Sequence, residues 1–175
     1  MHPLPWIMSD LPAHGLMLAL SLAMLWVIVS DAATYVIPNT LNLAIVALYG
    51  VAALLLPISP LPALAAAALV LLVGLGIFAL GLMGGGDVKL LVALTLWTGW
   101  GMPSLEFLML TALIGGALVV VVLVLRLLVP PLLFRACPTR PIPRLLTRGA
   151  PVPYGVAIAL AFLQMLWMGH IPGLM

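Results

Sequence analysis

Six apolar runs, separated by short turns rich in proline and glycine, leave this chain few folds to choose from. The longest cover residues 61–83 and 105–129. A bilayer core about 30 Å thick is crossed by about 20 apolar residues in helical form. Within hydrocarbon, each backbone donor and acceptor must find its partner inside the protein, which runs of this length achieve as helices. The composition agrees: 66% of the 175 residues are hydrophobic, only 6% are charged, and the mean hydropathy is +1.37. No soluble domain of this length has enough interior to hide so much apolar surface. The expectation is an all-α, polytopic integral membrane protein, a bundle of about six transmembrane helices forming one domain over residues 1–175.

The turn residues divide the chain. Ser9, Asp10 and Pro12 read as a helix start, and helices are expected over residues 14–30, 41–56, 61–83, 88–100, 105–129 and 154–168. Asp31 closes the first. Pro38 biases its predecessor away from helix, and Asn39 is placed to cap the second. Residues 57–62 form a proline-rich turn, and Trp97 and Trp100 fall where an aromatic belt belongs. Gly115 and Gly116 read as a site of close helix packing without function. Residues 1–10 lack the basic region of a secretory signal, so the first run is expected to remain as a helix. The single cysteine, Cys137, provides neither an internal disulfide nor a paired-thiol zinc site.

All five arginines, Arg126, Arg135, Arg140, Arg144 and Arg148, lie in one stretch around the proline-rich loop 130–153. This is a topology signal and not a nucleic-acid footprint: positive residues are retained on the inner side of the membrane. Counting helices outward from that loop puts both termini outside. It also brings Asp31 and the stretch 84–87 to the same inner face. Of the four acidic residues, Asp10 and Glu106 fall toward the outer face and are assigned interfacial roles. Only Asp31 and Asp87 are placed to pair.

Gly84-Gly85-Gly86-Asp87-Val88-Lys89 is the chemically distinctive stretch. A charge at membrane depth costs about 2.5 to 3.5 kcal/mol at a helix centre, so an acid there needs a reason. Three glycines remove every side chain from the approach to Asp87 and free the backbone for an extended partner strand. The bland reading is a flexible bend with an interfacial acid and a snorkelling lysine; a second acid at the same depth, Asp31, weighs against it. Two close carboxyl groups share one proton and titrate as a unit. One then takes a proton from water while the other donates to a peptide carbonyl and its leaving amine. Lys89, two positions beyond Asp87, lies on another helix face and reads as snorkelling or lipid-facing. Two aspartates without His or Cys are a poor metal site, and no metal or other cofactor is expected.

These residues resemble the GxGD signature of the prepilin peptidases, in which the aspartate is catalytic. Asp31, followed by Ile37-Pro38-Asn39, resembles the family's other catalytic aspartate and the motif after it. Pro153-Tyr154-Gly155 at the start of the last helix is similar as well. The resemblance implies an aspartic endopeptidase of the bacterial inner membrane that removes the basic leader from type IV pilin-like precursors at the cytoplasmic face. It assigns Asp31 and Asp87 as catalytic and Gly84, Gly85 and Gly86 as substrate-binding, with a prepilin and the lipid bilayer as partners.

The chain carries no Cys-x-x-Cys pair and no N-terminal cytosolic domain of the larger members, so no methyltransferase activity is expected, and it resembles the short branch of tight-adherence (Flp-type) pili. Residues 32–36 lack the basic residues often found there in the family. Two other readings stand beside this one: a channel, transporter or pilus-assembly subunit with paired buried acids, and a signal-peptide-peptidase-like enzyme, whose Tyr-Asp motif the chain lacks.

Overall fold

The structure, a computed structural model, describes residues 11–136, 144–147, 149–172 and 174, with backbone only for 131–136 and 144. Asp10, Cys137, Arg140 and Arg148 lie outside the described residues, as does the reading of residues 1–10, and the side chains of Arg135 and Arg144 are likewise undescribed. The described residues form six α-helices and no strand: α1 (Leu11–Thr34), α2 (Asn39–Leu55), α3 (Pro60–Ala79), α4 (Gly85–Thr98), α5 (Met102–Ala136) and α6 (Tyr154–Met168), with a 3-10 turn at Arg144–Leu146. It is an all-α, polytopic membrane protein. Three helices, α1, α3 and the Met102–Pro130 part of α5, are long and apolar enough to cross a membrane.

Outward surfaces stay apolar, as contact with lipid requires. Leu18, Leu22, Trp26 and Val29 on α1, Leu61 and Leu72 on α3, and Leu113 and Leu127 on α5 are all exposed. Burial is confined to narrow stripes. On α1 the stripe runs Leu16, Leu20, Met24, Val27, Asp31, the three- and four-residue spacing of one helix face. Asp31 is its last member, so the packing that buries the apolar residues also turns this carboxylate inward.

The shortest helix, α4, occupies the centre. It packs against α2, α3, α5 and α6, and its residues from Leu90 to Thr98 are almost all buried. Gly74 lets α3 approach: a Cβ there would lie 2.7 Å from Val88 Cγ1. On the α2 side, Trp97 donates from Nε1 to the Ile45 carbonyl at 3.2 Å and meets Tyr49 edge-to-face at 5.6 Å. Phe107 and Phe162 form the matching contact between α5 and α6 at 5.9 Å. An apolar core thus fixes α4 from several sides, and with it the acid in its first turn.

Helix boundaries depart from the sequence reading in several places. Asp31 does not close the first helix, which runs on to Thr34. The triple glycine does not break α3. Gly81 does, at φ +72, with Leu82 N–H bonded to the Ile77 carbonyl and Gly81 N–H to that of Phe78. This is a Schellman ending, which favours glycine because the left-handed conformation penalises a Cβ. Gly85 and Gly86 then begin α4. At the other end of the chain, α5 passes through Pro130 and Pro131 to Ala136. Each proline removes one backbone donor, but here, near the end of a long helix, neither turns the chain. Asn39 begins α2 without capping it, since Pro38 occupies the cap position.

Candidate active site

Asp31 lies one turn from the C-terminal end of α1, where the helix dipole is unfavourable to a carboxylate. The start of α6 compensates. Its N-cap position is Pro153, which supplies no side-chain cap, and Asp31 fills that role from another helix. Its Oδ2 accepts the Val156 N–H at 3.2 Å. The fit is tight. A Cβ on Gly155 would lie 2.8 Å from both Asp31 Oδ2 and Ile37 Cδ1. Asp31 is only 4% exposed, so the Val156 N–H stands in for part of its hydration.

The short link after α1 ties both acids together. Tyr35 adopts φ +57, a left-handed conformation rare for a residue with a Cβ, and its N–H closes on the Asp31 carbonyl at 2.9 Å. Ser30 donates from Oγ to the Val36 carbonyl at 2.6 Å, which helps hold the reversal. The chain then presents Ile37 between two glycines: its side chain lies 3.6 Å from where a Gly86 Cβ would be and 2.8 Å from that of Gly155. Two positions on, Asn39 Oδ1 accepts from Lys89 Nζ at 3.0 Å. Lys89, read from the sequence as snorkelling or lipid-facing, is exposed and through this bond also joins α4 to the start of α2.

Asp87 stands in the third position of α4, with Gly84 at the N-cap. Its carboxylate turns back toward Gly84, the placement that the acid of a capping box takes. Gly84 has room for it because a Cβ would lie 3.0 Å from Asp87 Oδ2. Each acid therefore sits at the positive end of a helix, Asp31 at α6 and Asp87 at α4. Asp87 is also within electrostatic reach of Asp31.

Both carboxylates line one cavity of about 480 Å³. Gly84 and Gly86 line it too, whereas Gly85 packs on the Phe78 ring, 3.4 Å from its would-be Cβ. Tyr35, Met83, Val152 and Tyr154 are among the other residues of its walls. The sequence reading marked Tyr154 only through its motif, and Tyr35, Met83 and Val152 not at all. A left-handed tyrosine and a wall built from the far end of the chain leave no local pattern to detect. Glu106, at the start of α5, pairs with His170 Nδ1 at 2.8 Å and lines no part of this cavity. Among the described residues, no three His, Cys, Asp or Glu side chains cluster to hold a metal. The arrangement brings two carboxyl groups from distant helices to one half-open cavity beside glycine backbone.

In comparison with known proteins, residues 18–125, more than half of the chain, match the sequence model of the type IV leader peptidase family. The match contains Asp31, the Ile37-Pro38-Asn39 link and the stretch from Gly84 to Lys89, and ends before α6. No curated protein and no solved structure matches the chain.

Proposed function

The chain belongs to the type IV leader peptidase family, and from that membership we propose that Asp31 and Asp87 are the catalytic pair of an aspartic prepilin peptidase. Family membership supports a membrane protease acting on pilin precursors. The assignment of the acids is carried by one observation: carboxylates from α1 and α4, far apart in sequence, line the same cavity.

In the proposed mechanism the two carboxyl groups share one proton. The ionised member takes a proton from a water held between them, and that water attacks the scissile carbonyl. The protonated member donates to the carbonyl oxygen; on collapse of the gem-diol it recovers that proton from the hydroxyl, while the first member passes the proton taken from water to the departing amine. The helix N-termini at both acids stabilise negative charge through the cycle. Gly84, in an extended conformation at φ −71 and ψ 145, and Gly86 give a substrate strand access to backbone. A precursor with a basic leader is drawn to an acidic site. The arginine-rich stretch after α5 supports a cytoplasmic position for this end of the bundle in a bacterial inner membrane.

Co-expression with a small pilin precursor carrying a basic leader tests this reading. The wild-type chain is expected to shorten the precursor, while Asp31→Asn and Asp87→Asn, present in the membrane at wild-type level, leave it full length. A precursor shortened equally by either variant removes that acid from the mechanism.

A further inference from the structure

Part of the cavity wall, Pro151 and Val152, comes from the segment before α6. Pro151 and Pro153 have no N–H to donate, and the turn below them closes through the Ala150 N–H on the Thr147 carbonyl at 3.3 Å. Its carbonyls offer further handles. Arg126 on α5 takes three of them: Nε donates to Leu145 O at 2.9 Å, and Nη2 donates to Ala150 O at 2.7 Å and Pro151 O at 3.2 Å. A guanidinium suits this task because it carries five donors in a fixed plane and no acceptor.

A second clasp lies on the same side of α5. A Cβ on Gly115 would stand 2.8 Å from Tyr154 Cε1, so the ring of the first α6 residue is seated directly on that glycine. Gly115 and Arg126 are about three helical turns apart and so face the same way. Between them they hold the stretch that supplies Val152 and Tyr154 to the cavity and leads into the Val156 N–H on Asp31.

We infer that Arg126 is a positioning residue for the reaction: its guanidinium fork latches the segment from Leu145 to Pro151 onto α5 and so fixes the wall and the α6 N-terminus against Asp31. The inference rests on the catalytic reading given above. It assigns Arg126 more than a positive charge, and that difference makes it testable. Arg126→Lys keeps the charge that sets membrane orientation but loses the planar fork.

The experiment measures prepilin cleavage by wild type, Arg126→Lys and Arg126→Gln, with kcat expressed per folded, membrane-inserted enzyme. In parallel, a thiol reagent is applied to Val152→Cys in a Cys137→Ser background, with and without Arg126→Lys. The expected result is a kcat lower by about 10-fold or more in Arg126→Lys, since sub-ångström misplacement of reacting groups costs rates of this order. KM should change less, and the thiol introduced at position 152 should be labelled several-fold faster. Wild-type kcat in Arg126→Lys, or unchanged labelling, overturns the latch. Labelling needs no catalysis, so it still reports on the latch if Asp31→Asn and Asp87→Asn were to retain cleavage and the catalytic reading itself failed.

Discussion

Asp31 and Val156 are joined by a hydrogen bond of 3.2 Å between a carboxylate near the end of α1 and a backbone N–H in the first turn of α6. One side chain thus does two things: it caps a helix whose own cap position is a proline, and it presents its carboxylate to the cavity. The two roles can be separated by substitution. Asp31→Ala removes the acceptor and is expected to lower stability by about 1 to 2 kcal/mol, the usual value of an N-cap. Asp31→Asn keeps an acceptor oxygen and should lose less, while still losing cleavage. Thermal unfolding in detergent beside the cleavage assay checks this, and equal melting temperatures for the two variants would remove the capping role.

Gly155 tests how closely Asp31, Ile37 and α6 are packed. An added methyl would meet Asp31 Oδ2 and Ile37 Cδ1, each at 2.8 Å. Gly155→Ala is therefore expected to destabilise the protein by about 1 to 3 kcal/mol, as overpacking does, and to reduce cleavage further by displacing the acid. Gly76→Ala is the control, because a methyl there meets nothing within 4 Å. It should be neutral or slightly stabilising in its helix. Comparable losses at both positions, measured by melting and cleavage, would contradict the packing account.

Gly115 and Gly116 are neighbours with opposite surroundings. The first faces the Tyr154 ring and the second faces open space. Gly115→Ala should push the ring toward the cavity and lower kcat by about 10-fold, whereas Gly116→Ala should leave it unchanged. Equal kinetics for the pair would show that the seat under Tyr154 is dispensable.

Lys89 and Asn39 link the two acid-bearing regions through a 3.0 Å hydrogen bond that is open to the surroundings. A double-mutant cycle of Lys89→Met and Asn39→Ala is expected to give a coupling in stability of about 0.5 to 1.5 kcal/mol. Additive effects would mean that the lysine acts through the bilayer alone.

Much of this architecture was legible because lipid imposes long apolar runs and proline and glycine punctuate them. Six helices, their order and the acids at 31 and 87 follow from those signals. The buried stripe of α1 did not, since Leu18 and Leu22 on its lipid face are as apolar as Leu16 and Leu20 on its core face, and hydropathy does not distinguish them. Gly81 was overshadowed by the more conspicuous Gly84-Gly85-Gly86, although the single left-handed glycine ends α3. Asn39 and Lys89 were each read against their own helix, while their partner lies 50 residues away. Arg126 was counted as one charge of five. Its role depends on where three carbonyls converge, and only the packing of α5 against the later segment brings them there.

The central claim is that Asp31 and Asp87 act as one unit on one bond. Cleavage of a purified prepilin by reconstituted wild type, Asp31→Asn, Asp87→Asn and the double variant measures it directly. Groups that act together are strongly non-additive, so each single substitution is expected to lower kcat by about 1,000-fold or more, with the double variant no worse than either single one. A single variant with near wild-type turnover, or two partial losses that multiply in the double variant, would contradict the pair.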